Sequence, residues 1–181
     1  MPARTGLIKV IDRMSQVVEA VAMLSSTRVM VGVPAEEAPR DDADSSTTIN
    51  NAALAYIHDN GAPEANIPPR PFMGPGIEEA KEAIVSGLAK AGKLAFEGKG
   101  EAVDRQFHRV GMIARDSIKR KVTTGPFTAL KPRTIEARRR RSTGSNYRRK
   151  AVKASDTRPL IDTGAMRNAI NYVLRKARDR R

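Results

Sequence analysis

Between Ile67 and Phe72 the chain reads Ile-Pro-Pro-Arg-Pro-Phe, a run that no helix and no interior strand can contain. Each proline fixes its own φ at roughly −65° and pushes the residue before it to extended geometry, so this segment must be a stiff, extended connector. It divides the chain into two stretches whose apolar spacing can be read separately. Upstream, Leu7, Ile11, Met14, Val18 and Val21 recur at helical spacing and predict an amphipathic helix over roughly residues 7–24, with one buried stripe, closed by Ser25 and Ser26. Arg28 to Val33 reads as a β-branched strand stopped by Pro34, and its near-continuous apolar character predicts a central strand buried on both faces. A short helix over about Ile49 to Asn60 would place Ala53, Tyr56 and Ile57 on one side and stop at Asn60-Gly61, where glycine tolerates left-handed backbone.

Downstream, Ile77, Ala80, Ile84, Leu88, Ala91 and Ala95 predict a long helix, and Val103, Phe107, Val110, Ala114 and Ile118 a second. Gly98-Lys99-Gly100 separates them, which predicts an antiparallel helical hairpin. Gly125-Pro126 reads as a turn, and Pro132 as the first residue of a short helix reaching Arg141 with little apolar face. Residues 142–158 are polar and basic, and alone they cannot offset an ordering cost of roughly 1 to 2 kcal/mol per residue. Order resumes at Leu160-Ile161, turns at Asp162-Thr163-Gly164, and finishes in a strand near Ile170 to Leu174. The expected fold is therefore α+β, a small mostly antiparallel sheet packed against helices, with a long helical hairpin. One domain formed by residues 1–135 and 156–181 is expected, with 136–155 as a basic arm or long loop and 34–48 as a mobile acidic loop.

The core must be modest, because hydrophobic residues make up 40% of the 181 but there is no Trp and aromatics are only 4%, leaving Ala, Val and Ile to do most of the packing. The absence of cysteine removes disulfides, thiolate metal sites and thiol nucleophiles. No stretch approaches the roughly 18 uninterrupted apolar residues of a membrane span, so a soluble chain without membrane contact is expected. The net charge of +13 is unevenly divided: residues 1–100 hold 10 Lys/Arg against 13 Asp/Glu, a balance of −3, and residues 101–181 hold 23 against 7, a balance of +16. A block of that kind attracts phosphates through counterion release, and equally suits an acidic protein surface.

The basic runs Arg138, Arg139, Arg140, Arg141 and Arg148, Arg149, Lys150 are the candidate contacts with DNA or an acidic partner, because guanidinium forks bind phosphates and carboxylates bidentately. Tyr147 is the only aromatic residue in that region, which disfavours base stacking and favours contact independent of sequence. Catalytic patterns are weak throughout. Asp162-Thr163-Gly164-Ala165 matches the retroviral-type aspartic protease run, but fewer than twenty residues follow it, too few for the remaining barrel and flap. Capping of a short helical turn at Ala165–Ala169 by Asp162 or Thr163 is the better reading of those residues. His58 and His108 fall on separate helices without metal-ligand spacing, and Asp41, Asp42 and Asp44 lack the glycine and distal Glu of a calcium loop. Gly74-Pro75-Gly76 lacks the Lys and Ser/Thr of a phosphate loop and reads as a helix entry, and no GxSxG elbow supports a serine triad. No enzyme activity, cofactor or metal is expected.

Three stretches, taken in order, resemble a known family: Ala55-Tyr56-Ile57-His58-Asp59-Asn60-Gly61-Ala62-Pro63, then Ile67-Pro68-Pro69-Arg70-Pro71-Phe72-Met73, and last Pro159-Leu160-Ile161-Asp162-Thr163-Gly164-Ala165-Met166-Arg167-Asn168-Ala169-Ile170. Each is short, and the ordered set is similar to the tail-completion and neck proteins of tailed bacteriophages, also called virion-morphogenesis or head–tail connector proteins. The likeness spans about residues 28–174. It implies a structural subunit of an α+β fold, assembled as a homo-oligomeric ring in the virion neck after synthesis in the host cytoplasm, with DNA passing through. Portal or adaptor proteins and tail-tube or terminator proteins are the implied neighbours, with non-specific contact to phage DNA, and no catalytic residue is implied. In that setting Arg70, Phe72, Asp162, Thr163, Gly164 and Arg167 are the expected subunit-interface residues, since the stiff proline segment can present a fork and an anchor at low entropic cost. The acidic segment Glu36 to Asp44 and the arginine-rich segment Arg138 to Lys153 depart from the family pattern. The alternative is a basic nucleic-acid-binding module, ribosome- or chromosome-associated, which explains the charge but not the Pro-Arg-Pro-Phe and Asp-Thr-Gly stretches.

Overall fold

Apolar spacing and proline placement convert into ten elements in the computed structural model, which describes residues 3–34, 49–143 and 157–176. In chain order these are α1 (Ala3–Ser26), β1 (Thr27–Gly32), α2 (Asn51–Asn60), a 3-10 turn (Pro63–Ala65), α3 (Met73–Glu79), α4 (Lys81–Phe96), α5 (Gly100–Thr124), α6 (Pro132–Thr143), α7 (Ala165–Ala169) and β2 (Asn171–Lys176). The fold is α+β, with the two strands forming a small antiparallel sheet against helices, as the sequence predicts. Residues 35–48 of the expected acidic loop and Arg148, Arg149 and Lys150 of the expected arm lie outside the described residues. Of that arm, residues 136–143 are helical, because α6 runs on to Thr143.

The described residues group into two compact units. One comprises residues through Val31, 80–114, and those from Tyr172 onward. Its core is Ala20 of α1, Ala91 and Ala95 of α4, and Val103 and Phe107 of α5, with Leu24, Val29, Leu94 and Leu174 packed against them. Small residues on α4 let the hairpin close: a Cβ on Gly87 would stand 2.6 Å from Val110 Cγ2 of α5. Gly98, at φ 72°, turns the chain between the two helices. Tyr172 of β2 lays its ring on Gly111 of α5, where a Cβ would meet Cδ2 at 2.3 Å, and its hydroxyl lies 3.1 Å from His108 Nδ1.

Two expectations fail in this unit. Among the described residues β1 is not a central strand, since β2 is its one neighbour, and its burial alternates, with Val29 on the core and Met30 49% exposed. The apolar run reflects β-branched propensity. Of the stripe expected to be buried on α1, Met14, Val18 and Val21 are exposed, at 61%, 63% and 51%, because α1 turns Ala20 and Leu24 to the core instead, and the side chains of Leu7 and Ile11 lie outside the described ones.

The second unit comprises residues 32–79 and 115–171. Phe72, Ile118 and Ile170 are wholly buried here, joined by Ala55, Val122, Leu160, Met166 and Ala169. α2 opens on Asn50, whose side chain accepts from Ala53 N–H at 2.8 Å. It stops at Gly61, as expected, with φ 81°. Glycine is required there twice over, because a Cβ would also lie 2.8 Å from Pro69 N. The buried face of α2 is Asn51 and Ala55, one turn apart, whereas Tyr56 of the expected side is 70% exposed. The proline run is extended, entered through an antiparallel bridge between Ala62 and Ile67. The long helix expected from Ile77 to Ala95 is interrupted at Ala80, whose φ −99° and ψ 0° leave the helical ladder, so α3 and α4 are separate. α3 lies hard against α5, with the Gly76 Cβ position 2.8 Å from Ile118 Cα, and Lys121 of α5 pairs with Glu79.

Candidate functional site

The last turn of α2 carries His58 and Asp59, and both reach the proline segment. Asp59 Oδ1 accepts from the N–H groups of Phe72, at 2.7 Å, and Met73, at 3.0 Å. A carboxylate thereby satisfies two donors at the start of α3, where the helix has no carbonyl to offer them. His58 contributes its main-chain oxygen, which accepts from Arg70 N–H at 2.8 Å, while Arg70 Nε donates to Thr128 O at 3.0 Å. These bonds hold the first two family-like stretches together as one substructure.

The third stretch joins it through α7, which packs against α2. Thr163 Oγ1 accepts from Ala165 N–H at 3.3 Å, so of the two expected capping residues Thr163 serves the helix, and Gly164 takes φ 88°. Asp162 is engaged elsewhere. Its Oδ2 accepts from Arg141 Nη1 at 2.8 Å and its Oδ1 lies 3.6 Å from Arg138 Nε. Arg138 also donates from Nη1 to the oxygens of Arg158, at 2.7 Å, and Ile161, at 2.9 Å, and from Nη2 to Pro159 O at 3.2 Å. One guanidinium on α6 thus gathers three carbonyls and a carboxylate of the turn before α7. Arg167 Nε donates to Thr123 Oγ1 at 3.0 Å and Lys119 O at 3.4 Å, and Lys119 Nζ returns a bond to Asn168 O at 3.2 Å.

A cavity of about 150 Å³ lies where these stretches meet, lined among others by Leu54, His58, Arg138, Leu160, Asp162 and Thr163. His58 Nδ1 is buried there without a hydrogen-bond partner. Burial first, then the Arg70 and Arg138 guanidinium groups, hold the His58 imidazole below its ordinary pKa, so it favours the neutral form. The chemistry of this site is that of a lock, in which charge-assisted bonds from Arg138 and Arg141 to Asp162 fix a turn. Among the described residues, no group of three or more His, Asp or Glu side chains is placed to hold a metal ion.

The expected interface residues divide between core and surface. Phe72 is wholly buried and Arg70 is 5% exposed, so neither is presented to a partner; the stiff segment turns its anchor inward, onto its own core. Asp162, Thr163 and Arg167 are engaged in the bonds above, with Asp162 and Thr163 also open to solvent. Among the expected DNA or partner contacts, Arg138 is committed to the fold, with its side chain 11% exposed. Arg139 is half-buried, Arg140 is exposed beside Glu136, and Arg141 divides itself between solvent and Asp162. Asp59 was assigned no role of its own from sequence; its legible signal was a carboxylate in the last turn of a helix, where it is unfavourable without donors to accept from.

No family model, curated protein or solved structure matches this chain. No helix among the described residues is long and apolar enough to cross a membrane.

Proposed function

We propose that this protein is a structural subunit of the head–tail junction of a tailed bacteriophage, a neck or tail-completion protein that forms a homo-oligomeric ring through which DNA passes. The supporting observation is the convergence of the three family-like stretches. Residues 55–63, 67–73 and 159–170 are far apart in sequence, yet the Asp59, Arg70 and α2–α7 contacts join them in one unit. The charge fits as well: repeated by rotational symmetry, the +16 of residues 101–181 concentrates at a channel wall or against an acidic neighbouring ring. In this reading the protein is not an enzyme, takes no cofactor, and has portal, adaptor, tail-tube or terminator proteins as neighbours.

Mass spectrometry of purified virions, with immunogold labelling, tests the assignment. The expected result is the protein in every particle, with label at the neck. A protein that never enters particles overturns it. The basic nucleic-acid-binding module remains the second reading, favoured by exposed Arg133 and Arg140 on α6.

A further inference from the structure

We propose that Asn60-Gly61 is a self-modification site, shielded while the last turn of α2 is closed and reactive once it opens, so that a chain that has opened carries a covalent mark. The site exists whether or not the chain belongs to a virion neck. Of the seven asparagines only Asn60 precedes a glycine, and Gly61 offers an asparagine side chain the least hindered main-chain nitrogen. In the reaction Gly61 N attacks Asn60 Cγ and the new N–C bond closes a five-membered succinimide. The Cγ–Nδ2 bond breaks, and the Gly61 amide proton leaves with the Nδ2 group as ammonia. Water then opens the ring at either carbonyl, giving aspartate, or isoaspartate in which the main chain runs through Cγ. Water is the one co-reactant, and Asn60 is exposed to it.

The closed turn withholds both reacting groups. Asn60 is the last residue of α2, and Gly61 N–H donates to Ile57 O at 2.8 Å, which keeps the attacking nitrogen protonated and directed along the helix. Asn60 Nδ2, the leaving group, donates to Tyr56 O at 3.0 Å. On its other side Gly61 is packed by the proline segment, since a Cβ there would stand 2.8 Å from Pro69 N and 3.1 Å from Ile67 O. Asp59, through the Phe72 and Met73 N–H groups, and His58 O, through Arg70 N–H, tie the same turn to that segment. Ring closure therefore requires these bonds to open first. The isoaspartate product is also barred from returning. It lengthens the main chain by one methylene next to Gly61, where the neighbouring backbone leaves no room for even a single side-chain carbon.

Peptide mass spectrometry of the full chain, incubated at mildly alkaline pH, reads the reaction as conversion of the Asn60 amide to an acid. Conversion should run at least about tenfold slower in native buffer than in urea, the difference being the cost of opening the turn. Asp59→Ala removes the anchor on Phe72 and Met73 and should narrow that ratio, with the same variant in urea as its reference. Equal rates in buffer and urea, or an Asp59→Ala ratio as wide as that of the wild type, overturns the proposal. The mark has its own test. Isoaspartate chains formed in urea and isolated chromatographically should not recover the wild-type thermal midpoint on refolding. Recombinant Asn60→Asp, with the same charge and an ordinary backbone, should recover most of it. Isoaspartate chains that regain the wild-type midpoint overturn the barred return, and an N60D chain as impaired as they are overturns its attribution to the lengthened backbone.

Discussion

Asp59 and His58 are neighbours with opposite electrostatic roles. Asp59 is a carboxylate given two N–H donors, and its replacement by Ala leaves Phe72 and Met73 N–H groups without an acceptor in a partly buried position. A loss of about 1 to 3 kcal/mol is expected in urea unfolding, largely recovered by Asn, which keeps one acceptor oxygen. His58 is an imidazole kept below its ordinary pKa of 6.5 by burial and by Arg70 and Arg138. The unfolded chain therefore binds a proton that the folded chain resists, and stability falls as pH drops below 6.5 until the depressed folded value is reached. Comparing urea midpoints of wild type and His58→Gln between about pH 7.5 and 5 should show the wild type losing the more stability, since Gln removes the titration. Arg138 belongs with these two. Its replacement by Ala frees three carbonyls and exposes Asp162 to Arg141 alone, and it should destabilise the chain by about 2 to 3 kcal/mol.

At the level of elements, the decisive quantity is how closely backbones approach. Gly61 ends α2 at φ 81° while Pro69 occupies the space a side chain would need, so Gly61→Ala should cost at least about 1 to 2 kcal/mol, read as a lowered thermal midpoint. That glycine was legible, because Asn-Gly after a helical period is a stop signal and the prolines that follow must be extended. The hairpin of α4 and α5 was legible for a similar reason: Ala91, Ala95, Val103 and Phe107 mark the buried lines, and Gly98 the turn. Gly87, Gly76 and Gly111 were not. A glycine inside a helical period carries no local sign that Val110, Ile118 or Tyr172 will lie against it.

For the whole molecule, charge and packing are answered by different arginines. Arg140 is exposed and Arg138 is committed to the turn before α7, so the two should separate in experiment. Retention on random-sequence duplex DNA should fall about a thousandfold between roughly 50 and 200 mM salt if six or more phosphates are contacted. Arg140→Ala should weaken that retention at unchanged stability, and Arg138→Ala should act through stability. Retention indifferent to salt would assign the basic surface to protein partners.

By itself the sequence determined the helical stretches, apart from the break at Ala80, with the extended proline segment, the positive-φ stop at Gly61 and the α+β class, because periodicity, proline and glycine act through local sterics and dihedral preference. Only the tertiary structure decided which residues are covered: it buried Phe72 and Arg70, exposed Met14 and Val18, and paired β1 with β2. Spacing states which side chains share a face, but burial depends on what is packed against that face, and those partners lie in distant parts of the chain.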